Sequence, residues 1–221
     1  MKILVKFPTR NRKIKFFNVL KIYQTLANNL DNMLFLITID EDDIEMNNSD
    51  CLEILSTFKN CKVVVGQSSS KVHAVNRDMD YAKDWDILLL ASDDMIPQIK
   101  GYDEIIINKM KDIYPNTDGV LWFNDGFKKS ELNTICILGK RYYEKFNYIY
   151  YPGYKSTWCD NEFMSVANLL GKQTYFDDVI IKHEHPDWGF GKQDEIHKKN
   201  YQDLNYDTNL YNNRKKINFE L

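Results

Sequence analysis

No apolar run in the sequence approaches the length of a membrane span. Its first residues, 1-MKILVKFPTR-10, are apolar over too short a stretch for a signal-peptide core and are broken at Pro8. A soluble, cytoplasmic chain with no transmembrane segment is therefore expected. Basic charge is not in excess either: 29 Lys and Arg stand against 32 Asp and Glu, a formal net charge of -3. That excludes the field which draws a protein onto nucleic acid without sequence preference, so any anionic ligand has to be held locally. The cysteines, Cys51, Cys61, Cys136 and Cys159, form no C-x-x-C pair and are too sparse for a disulfide framework. Zinc ribbons and dithiol redox motifs are thereby excluded, and free thiols in a reducing compartment are expected. There is no internal repeat and no flexible linker to divide the 221 residues into two domains.

What is present is a succession of short apolar runs that end in polar residues. The first, 2-KILVKF-7, reads as a buried strand and leads into the turn-prone 8-PTRNR-12. Phe16, Val19, Leu20, Tyr23, Ala27 and Leu30 then fall on one face at helical spacing. A second run, 33-MLFLITID-40, opens the acidic cluster Asp40-Glu41-Asp42-Asp43. Strand, helix and strand in this order predict a parallel sheet covered on both faces. The pattern continues with a short helix over 51–58, a strand over 62–66, a helix over 68–82 with serine N-cap candidates, and a strand over 86–92. In the second half, 103–114 reads as a helix and 118–125 and 134–139 as strands. A helix over 160–171, closed by Gly171, and one strand over 173–185 follow. Beyond His185 the composition turns polar and reads as a partly helical lid or arm. The strands of the first half end in Pro8-Thr9-Arg10, Asp40, Gly66 and Asp93-Asp94, all at carboxyl ends, and in an open parallel sheet that edge is where ligands sit.

The stretch 87-ILLLASDDMIP-97 sets two adjacent carboxylates at the mouth of a buried strand. Like charges repel and lose hydration there, so the pair calls for a cation or for backbone amides. Two readings stand: an Asx turn with a helix N-cap, or a divalent ion that shares its remaining positions with phosphate and water. The segment 183-HEHPDWGFG-191 holds half of the four histidines, and alternation along a strand would turn His183 and His185 to the same face. One imidazole added to oxygen ligands suits manganese better than magnesium, whereas a solvated histidine pair is the plainer alternative.

Taken in order, FPTRNR, ITIDEDD, a helix with Asn76 and ILLLASDDMIP resemble the nucleotide-sugar-binding half of the GT-A glycosyltransferases, especially the large family 2. The resemblance covers roughly residues 1 to 100. It implies an α/β fold of the GT-A (Rossmann-like) type, a three-layer α/β/α arrangement with a mostly parallel central sheet. It also implies a domain over 1–186, with 1–100 binding the nucleotide-sugar and 101–186 the acceptor, before a C-terminal helical tail or lid over 187–221. Carried over residue by residue, it puts Pro8, Thr9 and Arg10 around the base and Asp40 on its edge. Lys71 and Asn76 would lie near base and phosphates, and Ser92 and Asp93 beside ribose and diphosphate. Asp93 or Asp94, with His183 or His185, would hold Mn2+ or Mg2+. Ala91 stands where many relatives have the first Asp of Asp-x-Asp, so the metal role is not divided between Asp93 and Asp94.

Downstream, 158-WCDNEF-163 is similar to the Glu-Asp segment that carries the family's catalytic base. Cys159 replaces the Glu and Asp160 matches the base, although helix N-capping also accounts for Asp160. The 122-WFNDG-126 stretch falls where the family builds its acceptor pocket, with Trp122, Asn124 and Asp125 suited to a sugar ring and its hydroxyls, or Trp122 and Phe123 to the core. The implied activity is a metal-dependent, inverting transfer from a nucleotide-diphosphate sugar, UDP favoured, to the hydroxyl of a glycan or other acceptor in polysaccharide biosynthesis. Two alternatives remain. One is a catalytically silent nucleotide- or sugar-binding module of the same fold; the other is a nucleotidyltransferase, disfavoured because 8-PTRNR-12 lacks the glycines of a phosphate loop.

Overall fold

Apolar runs buried on both faces need helices above and below them, and here they receive them around one twisted sheet. The computed structural model describes residues 1–189, 195 and 201–221. Its first half alternates strand and helix: β1 (Ile3–Thr9), α1 (Lys13–Leu26), β2 (Met33–Asp40), α2 (Ser49–Ser56), β3 (Cys61–Gly66), α3 (Lys71–Asn76) and β4 (Ile87–Leu90). Then come β5 (Met95–Pro97), α4 (Tyr102–Ile113), β6 (Val120–Phe123), β7 (Ile137–Gly139), α5 (Lys140–Phe146), α6 (Cys159–Leu169), β8 (Gln173–Phe176), β9 (Ile181–His183) and α7 (Leu204–Lys216). Seven strands form the main sheet in the order β3-β2-β1-β4-β7-β6-β8, and β5 and β9 form a separate antiparallel pair. Only β7 runs against its neighbours in the main sheet.

Alternation along β1 sorts its side chains into the two cores. Ile3, Val5 and Phe7 pack with α1 and α4 through Phe16, Leu20, Tyr23 and Ile106. Leu4 points the other way, to the cluster built with α3, α5, α6 and α7 through Val72, Tyr142, Phe163 and Tyr211. The result is the three-layer arrangement read from the sequence. Two end signals also hold locally. The Ser70 side chain accepts from the His73 amide at 3.0 Å and starts α3. Gly171, at φ 62, closes α6 in a Schellman motif, with Gly171 N–H donating to Asn168 and Lys172 N–H to Ala167.

Three elements depart from the sequence reading. The helix expected over 68–82 stops at Asn76, because Asp78 sits in the left-handed region at φ 72 and its carboxylate accepts from the Thr38 hydroxyl and from Arg77. The strand expected over 173–185 is two strands in two sheets. β8 pairs with β6, then Asp177 takes the Asn124 amide and the chain crosses to pair β9 with β5, Met95 facing His183. The strand ends at His183, so the shared face expected for His183 and His185 does not form by strand alternation. Helix α5 and strand β5 had no periodic signal, being too short to show one.

In the C-terminal region, 190–194 and 196–200 of the expected tail lie outside the described residues. Helix α7 packs against α6, anchored by Arg214, whose Nε donates to both Glu162 oxygens at 2.8 and 3.0 Å while its Nη1 donates to Glu220. Glu162 and Arg214 are 2% and 5% exposed, so neither charge has water to fall back on. Removing one partner of such a pair leaves the other uncompensated. Arg214→Met is therefore expected to lower unfolding stability by about 3–5 kcal/mol in denaturant titration, and the double change Arg214→Met with Glu162→Leu to recover most of that loss.

Candidate active site at the carboxyl ends of the strands

β1 and β2 lie side by side in register, Thr9 opposite Ile39, so their last residues share one rim. There Arg10 donates to Asp40 Oδ2 at 2.7 Å and grips Asp42 with both terminal nitrogens. Arg77, from the end of α3, donates to the Ile39 carbonyl at 2.8 Å and stands 3.6 Å from Asp40 Oδ1. Asp40 Oδ1 and Thr9 Oγ1 are buried and make no hydrogen bond within the protein. Such atoms are uncommon, and two of them on adjacent strand ends make a place that a ligand's N–H and O–H groups can satisfy.

Beneath this rim lies a buried polar chain. Lys6, fully enclosed in β1, donates to the Thr38 hydroxyl and to the Arg77 carbonyl at 2.8 Å, and Thr38 donates in turn to Asp78. Burial pulls the Lys6 ammonium down to about 7, with Asp78 opposing the fall and Arg77 adding to it. The network runs from Lys6 to Arg77, whose guanidinium stands 3.6 Å from Asp40.

At the end of β4, Asp93 and Asp94 part company. Asp93 is ion-paired with Arg12 at 2.9 Å. Burial pushes the Asp93 carboxyl up, Arg12 pulls it down, and the adjacent Asp94 adds to the rise. Asp94 accepts from the Ser92 hydroxyl and lies 3.6 Å from His183 Nε2. Burial works against its charged form too, but His183, Ser92 and Lys71 more than offset it and hold the carboxyl well below the usual range. The β5–β9 pairing brings His183 here, reinforced by the Glu184 amide donating to the Asp94 carbonyl at 2.7 Å. Asp160, in the first turn of α6, accepts from the Asn161 amide at 2.9 Å. Burial pushes its carboxyl up, against the pull of Lys71 and His183. Lys71, at the start of α3, is thus near enough to act on both Asp94 and Asp160.

Other residues singled out in the sequence have local partners. The Asn76 amide is engaged on both ends by the 149–150 backbone, accepting from Ile149 and Tyr150 N–H and donating to the Tyr150 carbonyl. Asn124 binds Asp177 and the Gly126 amide. Asp125 is 1% exposed, caps the amides of 127–129 and accepts from Thr134, while its carbonyl receives the His183 amide. Trp122 packs edge-on to Tyr175, and its buried indole N–H has no partner. The ring of His185 lies 5.6 Å from that of His183, and both contact Trp188, which stacks on Phe127.

Among the described residues no three His, Cys, Asp or Glu side chains gather as a metal-ligand group. The Asp94–His183 pair nevertheless suits a divalent ion. Two ligands each about 2.1 Å from one ion lie about 3–4 Å apart, as these two do, and the remaining positions of magnesium or manganese are ordinarily taken by water and phosphate. Asp93, neutralised by Arg12, is the less available carboxylate.

No protein-family model and no curated protein matches the chain. Solved structures do. The mannosyltransferase PcManGT from Pyrobaculum calidifontis, in complex with GDP-Man and Mn2+, has a TM-score of 0.66 at 13% identity over 86% of this chain and 58% of that one. TarS 1-349 of S. aureus in complex with UDP-GlcNAc gives 0.63 at 15% identity, over 94% of this chain and 66% of that one. The chain has a GT-A-like glycosyltransferase fold. Against the S. aureus TarS structure the TM-score is 0.64 at 15% identity, over 82% of this chain but 36% of that one, so the GT-A-like unit here spans only part of its neighbours' length.

Within this GT-A-like frame, sequence reasoning passed over Arg12, Arg77 and Lys6. A lone lysine inside the apolar strand 2-KILVKF-7 was the available sign of a buried polar network. Lys6 is also testable by pH. Between its folded value of about 7 and the ordinary lysine value the unfolded chain binds more protons than the folded one, so stability rises with pH. Denaturant titrations between pH 7 and 8.5 are expected to show a rise of up to about 1.4 kcal/mol per pH unit, which Lys6→Met flattens.

Proposed function

We propose that the protein is a metal-dependent glycosyltransferase that moves a sugar from a nucleotide-diphosphate donor, UDP-sugar favoured, to an acceptor hydroxyl with inversion. The observation that carries this reading is the gathering of Asp94, His183, Lys71 and Asp160 at the carboxyl edge of a GT-A-like sheet. Two of its structural neighbours were solved with nucleotide-sugars, GDP-Man with Mn2+ in one case and UDP-GlcNAc in the other, which supports a donor of that class.

In this reading Pro8 and Thr9 border the base, and Asp40 accepts from its N–H edge through Oδ1 while Arg10 and Arg77 hold the carboxylate in place. An imide such as uracil offers that N–H between two carbonyls, and the arginines supply donors beside the acceptor. Asp94 and His183 are the residues that would hold manganese or magnesium. When bound, the ion supplies positive charge against the negative charge that grows on the leaving diphosphate. Lys71 adds a second cation on the same side. Ser92 and Asp93 border the ribose and diphosphate, with Arg12 keeping the pair of aspartates from repelling a phosphate outright. The loop closed by Asn124 and Asp125, with Trp122 at its base, borders the acceptor.

Asp160 takes the acceptor's proton as its oxygen attacks the anomeric carbon and the bond to the diphosphate breaks. A carboxyl raised by burial is a stronger base than a solvated one, while the Lys71 charge opposes the rise. One displacement with one base inverts the centre.

Asp160→Asn is expected to lower turnover by about 10²–10⁴-fold and to leave nucleotide binding within twofold. Because burial disfavours the charged form of Asp160, removing the charge should leave thermal stability at pH 7 equal or higher; retained turnover would end the assignment of the base. Thermal-shift titrations with UDP, GDP and CDP, with and without Mn2+, test the donor. Stabilisation by UDP that needs Mn2+ and disappears in His183→Ala is expected, and an equal shift in that variant would remove His183 from the metal site. Metal-dependent hydrolysis of a UDP-sugar without acceptor separates this reading from a silent binding module.

A further inference from the structure

We infer that Asp207, in the first turn of α7, is a positioning residue that sets Asp160 through one strap of chain, residues 155–157. The inference rests on the proposed role of Asp160. Asp207 is fully buried, yet its carboxylate faces no cation in the strap; it accepts three successive backbone amides instead. Its Oδ1 takes the Lys155 N–H at 2.8 Å, and its Oδ2 takes those of Ser156 and Thr157 at 2.9 and 2.8 Å, with the Thr157 hydroxyl at 3.2 Å. A carboxylate held by several amides fixes their directions together, since rotating any one amide away leaves a buried charge short of a donor.

The strap is anchored on one side and leads to Asp160 on the other. On one side, the Lys155 carbonyl accepts the Val72 amide at 3.2 Å, which ties the strap to the turn of α3 that begins at Lys71. On the other, Thr157 runs into Trp158, the N-cap of α6, which sits in the left-handed region at φ 63 two residues before Asp160. That backbone is unfavourable for a tryptophan and persists only where the surroundings over-determine it. α7 supplies those surroundings: the Trp158 indole donates to Thr208 at 2.9 Å and stacks on Tyr211 with 4.8 Å between ring centres. One helix therefore holds the strap, the strained cap and, through them, the first turn that carries Asp160.

The test compares Asp207→Asn, Thr208→Val and Asp160→Asn, alone and as Asp160→Asn with Asp207→Asn, in the full chain. Hydrogen exchange in Asp207→Asn is expected to accelerate at 71–74 and 155–161 and to stay unchanged across β1, β2 and β4. With UDP-GlcNAc and Mn2+ as probes, kcat should fall on the order of 10²-fold while the donor KM and UDP binding stay within twofold, the signature of a misplaced base. Added to Asp160→Asn, the Asp207 change should cost no further activity. Thr208→Val removes the acceptor of the Trp158 indole, together with the exposed hydroxyl's own bond to the Leu204 carbonyl, and serves should Asp207→Asn not express; it should reduce kcat about fivefold, the equivalent of one hydrogen bond. Unchanged local exchange, unchanged kcat in both variants, a matching loss of UDP binding, or losses that multiply on Asp160→Asn would each overturn the inference. An Asp160→Asn enzyme as active as the unaltered protein would overturn the reaction proposed for the site, and the exchange pattern would still decide whether Asp207 holds the strap.

Discussion

Two neighbouring carboxylates at the end of one buried strand repel each other unless each finds its own partner, and the site is organised around that requirement. Asp93 finds Arg12, brought from the loop after β1; Asp94 finds His183, brought by the small β5–β9 sheet. The split makes the two positions chemically different although the sequence writes them alike. One carboxylate is neutralised by a permanent cation within the chain, and the other faces an imidazole at a separation that an ion can bridge. Lys71 then sits where its charge is felt by Asp94 and Asp160 together, which links the leaving-group side of the proposed reaction to the acceptor side.

The same logic governs the parts of the fold that support the rim. The charged groups taken from water in the lower layers are answered: Lys6 by Thr38 and the Arg77 carbonyl, Glu162 by Arg214 and the Tyr154 hydroxyl, Asp207 by backbone amides. At the rim Thr9 Oγ1 and Asp40 Oδ1 are left unanswered. Buried unsatisfied atoms are costly, and these two lie on adjacent strand ends at the ligand edge, where a donor-bearing ligand can reach them, whereas the Tyr23 and Tyr142 hydroxyls are left without partners inside the cores. The C-terminal helix belongs to the supporting layer, packed on α6 by a buried ion pair.

Much of the first half was legible in the amino-acid order. The strands from Ile3, Met33, Cys61 and Ile87 are near-continuous apolar runs, and the polar residues that follow them fall at carboxyl ends by chain direction alone, which is why Thr9, Arg10, Asp40 and Asp93-Asp94 were readable as one rim. Asp160 was singled out by the likeness of 158-WCDNEF-163 to a family segment, and the structure puts it in the first turn of α6. The second half was less so. β5, β7 and β9 have three residues each, too few for a period, and the run from Gln173 to His185 looks like one strand because nothing local marks where it leaves one sheet for another. Asn76, Asn124 and Asp125 carry functional-looking side chains whose partners, the 149–150 backbone, Asp177 and Thr134, are not visible from the positions that hold them.

What the sequence by itself determined is the α/β layering, the direction of the strands and the set of charged residues delivered to their carboxyl ends, because hydrophobic period and chain direction are properties of neighbours along the chain. What only the tertiary structure decided is the pairing of those charges: Arg12 with Asp93, Arg77 beside Asp40, His183 with Asp94, Arg214 with Glu162 and Asp207 with the strap before α6. Coulombic and hydrogen-bonding partners are chosen by distance in space and by the loss of water, and those are fixed only when segments 37 to 89 residues apart have been packed against each other.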